Sequence, residues 1–179
     1  MTSRKFFILF IACAAIPLMA AQLSLSQGWF QQESTNKGQW LQHEIQILPG
    51  MENAISEKID RNVHWHLVYV QADVCDQQCE RALFIMQQLY TGMGRKQIKI
   101  KPSLMAQHQP ELLTKFPVIA WQPNVVEASE LKNQIVIVNQ RGLVLLRYSV
   151  ASNPERMDEV ANDIRTDLLR LINYDRSGA

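Results

Sequence analysis

Residues 63–86 read VHWHLVYVQADVCDQQCERALFIM, and this stretch decides the fold. Val63–Val70 is rich in β-branched and aromatic residues and has no breaker, so it reads as a buried strand. The strand runs straight into Cys75-Asp-Gln-Gln-Cys79. From Cys79 the apolar positions Ala82, Leu83, Met86, Leu89, Tyr90 and Met93 recur at three- and four-residue intervals, the rhythm of a helix with one face on a core, closed by Gly92 and Gly94. Two cysteines therefore stand where a strand meets a helix.

At i and i+4 of a helix start, two side chains lie on one face about one turn apart, so both sulfurs reach one ion or each other. A metal clip, a working thiol pair and a local staple are all open on spacing alone. The helix N-terminus favours thiolate over thiol, whereas the acidic Asp76 and Glu80 after the two cysteines oppose it through like charge. A disulfide across so short a loop removes less chain entropy than the roughly 3 kcal/mol of a fifteen-residue loop. That weighs toward function.

Downstream, Ile98 and Ile100 alternate with Lys99 and Lys101 up to Pro102, which predicts a short strand there. Residues 105–133 are punctuated by Pro110, Pro117 and Pro123; ELLTKF suggests a helical turn or two and PVIAW a strand. Ile135–Val138, the turn Asn139-Gln-Arg-Gly142 and Leu143–Tyr148 form a β-hairpin. Asn153 as N-cap and Pro154 at the first helical position open a last helix, with Met157, Val160, Ala161, Ile164, Leu168, Leu171 and Ile172 on one face. Strands alternating with helices and ending in an antiparallel hairpin make an α/β sandwich of thioredoxin type.

Upstream, the sixteen residues from Phe6 to Ala21 carry no charge and no side-chain amide, and the run extends weakly to Leu25. About twenty such residues match the roughly 30 Å hydrocarbon core. Arg4 and Lys5 on the short flank place the N-terminus in the cytoplasm and send the rest across. Met19 at −3 makes a poor cleavage site after Ala21, so an uncleaved N-terminal transmembrane helix is expected. Trp29-Phe30 reads as an interfacial anchor. Cys13 reads as a small apolar residue facing lipid. The expected organisation is an anchor over 1–28, a stalk and N-terminal extension over 29–62 with the turn Asn36-Lys-Gly38, and a thioredoxin-like domain over 63–179.

Setting Arg4 and Lys5 aside leaves the remainder one unit negative, with no basic stripe interleaved with aromatics, which excludes nucleic acid as a partner. Three cysteines, one of them in the apolar run, exclude a disulfide-dense scaffold. No Ser/His/Asp grouping, phosphate loop or paired carboxylates point to hydrolysis.

Cys75-x-x-x-Cys79 after a strand, followed by a helix and by IVIVNQRGLVLLRY with its amphipathic helix, resembles the Sco/SenC copper-chaperone family of cytochrome oxidase assembly. The chain is also similar over nearly its full length to small single-span cytochrome oxidase biogenesis or associated proteins of proteobacteria. Their pattern has an anchor, a Ser-x-Asn-x-Gly stalk (here Ser34-Thr-Asn36-Lys-Gly38), a C-x-x-x-C loop and a terminal hairpin and helix. The resemblance implies a domain in the periplasm, tethered to the bacterial inner membrane, that helps assemble the oxidase and is not itself an enzyme. Its partners are then oxidase subunits or their copper chaperones. The alternatives are a periplasmic thiol-disulfide oxidoreductase and a non-catalytic scaffold with a structural disulfide.

The resemblance implies copper(I), held at most transiently by Cys75 and Cys79, because soft thiolates select Cu(I). Sco proteins write C-P-x-x-C-P and place a copper-ligating His before the penultimate strand. Here Asp76 and Glu80 replace the prolines, and Leu131-Lys-Asn-Gln134 offers neither that His nor the proline of thioredoxins. His66 is the candidate third donor, although it and His64 read first as structural residues of a strand. His43 and His108 read as surface residues. Met86 and Met93 read as core packing.

Overall fold

The computed structural model describes residues 3–26, 36–48, 63, 65–72, 74–123 and 129–174. The chain divides into two compact units, Met1–Thr35 and Asn36–Ala179.

In the first unit helix α1 (Ser3–Ser26) takes up the apolar run. Its large side chains Phe7, Ile8, Phe10, Ile16, Leu18 and Met19 are all exposed, as is the free Cys13. Among the described residues no helix is long and apolar enough to cross a membrane. The expected helix is present, and its spanning a membrane is not carried by the described structure. Trp29 and Phe30 lie outside the described residues.

The second unit is built on a sheet whose described strands run in the order β1-β6-β5-β2-β3-β4. They are β1 (Gln39–Trp40), β2 (Trp65–Val70), β3 (Ile100–Ala106), β4 (Ala120–Pro123), β5 (Gln134–Asn139) and β6 (Val144–Ser149). β2, β3 and β4 are parallel, while β5 pairs antiparallel with β2 and β6, and β1 antiparallel with β6. β2 is central and buried on both faces, which is why its sequence is continuously apolar rather than alternating. Leu67 and Tyr69 face α2 (Gln77–Gly92) and α3 (Pro154–Tyr174), and Val68 and Val70 pack in a second cluster with Ile47, Met105, Val136 and Val138.

The predicted helix after the cysteines buries Cys79, Ala82, Leu83, Ile85, Met86 and Leu89; Gly92 ends it and Gly94 turns away at φ +54°. The hairpin turn forms at Asn139–Gly142, where Asn139 Oδ1 accepts from the N–H groups of Arg141 and Leu143, and Gly142 adopts φ +81°. Asn153 caps α3 by accepting the N–H of Glu155 at 3.0 Å. ELLTK forms a 3-10 turn.

Two expectations are corrected. Residues 94–99 form a 3-10 turn with Ile98 exposed, and the strand runs instead from Ile100 through Pro102 to Ala106. Pro102 is accommodated because β4 joins β3 only from Ser103 onward, leaving an open edge beside it. The segment read as a stalk belongs in part to the domain. Lys37 and Gly38 donate their backbone N–H groups to Oδ2 of Asp167 on α3, at 2.8 Å each, and the Tyr148 hydroxyl donates to the same oxygen at 2.8 Å. β1 follows at once, and Ile47 and Leu48 enter the core. The compact unit thus begins at Asn36 rather than at 63; Ser34 lies outside the described residues.

Candidate functional site

β2 delivers the chain to the cysteines through Gln71 and Ala72. The N–H of Gln71 donates to Met105 O at 2.9 Å, continuing the parallel pairing one residue past the strand. Asn133, just before β5, holds the other side. It adopts φ +57°, a conformation that Asn tolerates better than most residues. Its N–H donates to Val70 O at 2.7 Å, and its Oδ1 accepts from Ala72 N at 3.3 Å and from the Tyr69 hydroxyl at 3.4 Å.

Asp76, in extended backbone between the cysteines, is the N-cap of α2. Its Oδ1 accepts the N–H groups of Gln78 and Cys79, at 3.0 Å each. Cys75 and Cys79 are joined by a disulfide with a Cα–Cα distance of 5.1 Å. Cys75 stands two residues before α2 begins, and the extended Asp76 at the cap brings it to Cys79 in the first turn. Cys79 is 1% exposed, and Cys75 is half-buried beside the fully exposed Val74. The two cysteines are therefore unequally buried.

The helix-end N–H groups that favour a thiolate are committed to Asp76, whose charge also lies close by. Burial, and then the charge of Asp76, push the Tyr69 hydroxyl up to about 12. Glu80 points its carboxylate to Lys115 Nζ at 3.2 Å, in an exposed ion pair. Gln78 Nε2 donates to Val150 O at 2.6 Å and Arg81 donates to Ser152 O, tying the first turns of α2 to the loop before α3. Oε1 of the buried Gln71 lies 4.0 Å from Cys79 Sγ.

The structure brings Cys75 and Cys79 together and does not bring His66 to them. Side chains alternate along β2, so His66 shares the face of Val68 and Val70, while Cys79 packs on the face of Leu67 and Tyr69. His66 is 1% exposed with neither ring nitrogen hydrogen-bonded, and burial followed by the charge of Lys101 lowers it to about 4. The alternation that places it away from the cysteines is readable in the sequence. His64 lies outside the described residues, His43 and His108 are exposed, and Met86 and Met93 are buried in the core. Among the described residues no group of three or more His, Cys, Asp or Glu is arranged to hold a metal.

Gln71, Asn133 and the capping role of Asp76 were missed from sequence. Asp before a periodic apolar run is a helix-start signal that points to the cap. Gln71 and Asn133 have no such signal, because their roles come from the approach of two loops.

No curated protein matches the chain. A solved structure of BsSco, a member of the Sco family of cytochrome c oxidase assembly proteins in which a disulfide switch was identified, aligns over 76% of this chain and 97% of its own, with a TM-score of 0.41 and 13% identity. The family model for the transmembrane-like, thioredoxin-like C-terminal domain matches residues 65–172, the stretch from the first residue of β2 to the last buried residue of α3. With the greater part of its length so matched, and with a strand-to-helix junction carrying the cysteine pair, the chain belongs to the transmembrane-like, thioredoxin-like C-terminal domain family.

Proposed function

We propose that this protein is a periplasmic assembly factor for cytochrome c oxidase, held at the bacterial inner membrane by α1, and that Cys75–Cys79 is its working element in maturation of the oxidase copper site. The observation that carries the reading is the disulfide itself, placed between the central strand and the first turn of α2 with Cys79 buried and Cys75 half-buried. The order of anchor, Asn-x-Gly segment, C-x-x-x-C junction, hairpin and terminal helix supports the assignment to oxidase assembly. So short a loop gives the bond little stabilising value, which leaves chemistry as its reason.

Copper(I) is cargo in this reading. Reduction frees two soft sulfur donors suited to Cu(I), which lose their protons as the ion binds, and a pair of donors favours brief possession over storage. Oxidase subunits or their copper chaperones are the partners. The anchor reading rests on the uncharged Phe6–Ala21 run behind Arg4 and Lys5, in a helix of 24 residues, about 36 Å long.

Deletion of the gene, with oxidase activity measured in isolated membranes, tests the reading; a severalfold loss restored by the full-length chain is expected, and undiminished activity contradicts it. Fractionation should leave the full-length chain in the inner membrane. Soluble protein beginning near residue 22 would overturn the anchor.

A further inference from the structure

We propose that Gln71 is a positioning residue for the Cys75–Cys79 pair: when the disulfide opens, its side-chain oxygen receives the S–H of Cys79 and holds that sulfur in place. This rests on the pair being a working disulfide. In the closed form Gln71 Oε1 stands 4.0 Å from Cys79 Sγ in a buried contact, and the sulfur, bonded to Cys75, has no proton to give. Reduction supplies the proton. An amide oxygen has two lone pairs and accepts a thiol alongside any bond it already makes.

The backbone around Gln71 is fixed from both sides. Its N–H is bonded to Met105 O, the carbonyl of Val70 before it accepts from Asn133 N, and the N–H of Ala72 after it donates to Asn133 Oδ1. The side chain therefore starts from a clamped position rather than from a loose loop. The N–H groups of Gln78 and Cys79 are already bonded to Asp76, which leaves the Gln71 oxygen as the partner for the sulfur. An amide oxygen accepts S–H, so the contact is made as the disulfide opens.

The step balances with a dithiol reductant. One of its thiolates attacks Sγ of Cys75, the less buried of the two cysteines, the Cys75–Cys79 bond breaks, and Cys79 leaves with the electron pair and takes a proton, becoming the thiol that Gln71 accepts. The reductant's second sulfur then displaces Cys75. The reductant ends as a disulfide, and the two electrons and two protons it gives up are those the pair gains.

Raman spectroscopy of the S–H stretch tests this on the full chain carrying Cys13→Ser and Cys75→Ser, in which Cys79 is the only thiol. The band should lie below the free-thiol position, move to that position in Gln71→Leu, and stay displaced in Gln71→Glu, which keeps an acceptor. A band unmoved by Gln71→Leu overturns the proposal. In the chain with the pair intact, Gln71→Leu should shift the equilibrium with a dithiol buffer toward the disulfide by about fivefold, the weight of one net hydrogen bond. An unchanged equilibrium also counts against it. Should Gln71→Leu fail to fold, Gln71→Asn, with its amide one methylene short, is expected to move both readouts in the same direction, and no movement overturns the proposal. The Raman result does not depend on the cellular role, so failure of the oxidase assay and failure of this contact are separately visible.

Discussion

Asp76 accepts the backbone N–H of Cys79 at 3.0 Å, so the residue between the two cysteines both starts α2 and places negative charge beside the pair. Asp76→Ala should destabilise the chain by about 1 kcal/mol in urea unfolding, the usual value of a lost N-cap. Asp76→Asn keeps a capping oxygen and should cost less. With the charge gone, the Tyr69 hydroxyl should titrate below its native value of about 12 while remaining above the ordinary 10, because burial is the larger cause. Ultraviolet titration of the phenolate reads this directly.

His66 should make the fold acid-sensitive. Its folded value of about 4 lies below the ordinary 6.5, so the unfolded chain binds a proton that the folded chain refuses. Its contribution is complete above 6.5, declines as the pH falls toward 4, and is level below that. The total is up to roughly 3 kcal/mol. In His66→Leu this part of the acid dependence should vanish. Stability near neutrality should be equal or higher, since an apolar side chain replaces two ring nitrogens that make no hydrogen bond. Urea midpoints across this pH range decide the matter, and identical acid slopes in both proteins would contradict the assignment.

Gly38 and Tyr148 fix the start of the domain. A Cβ at Gly38 would sit 2.7 Å from the Tyr148 hydroxyl, so Gly38→Ala should cost about 1–3 kcal/mol by overpacking. Asp167→Asn should weaken three accepted hydrogen bonds at once, at about 2 kcal/mol or more. Both should raise hydrogen exchange at Gln39 and Trp40 before they affect β2. Unchanged protection of β1 would show that this segment is held by something else.

Much of the fold was legible because its elements carry their own periodicity. VHWHLVYV, the stripe from Cys79 to Met93, the Asn139–Gly142 hairpin and the capped α3 each repeat a local pattern over enough residues to name it. β1 has two residues, and what fixes it is a carboxylate more than a hundred positions away. Asp167 itself lies between Ile164 and Leu168 on the buried face, where an acid in an amphipathic helix is ordinarily assigned to the solvent side. Ile98 and Ile100 alternate like a strand, yet the turn after Gly94 absorbs the first of them. At the site, the spacing told that both sulfurs could reach each other or one ion, and the disulfide is the structure's own finding. The positions of Gln71 and Asn133 were not, because they arise where β2, β3 and the loop before β5 converge.

The most direct test of a working disulfide in oxidase maturation is the copper-to-haem ratio of oxidase purified from cells whose chain carries Cys75→Ser and Cys79→Ser at wild-type abundance. The account predicts a ratio severalfold below that of wild type, with the variant chain itself folded and correctly located. A ratio equal to wild type would contradict it, leaving Cys75–Cys79 as a staple.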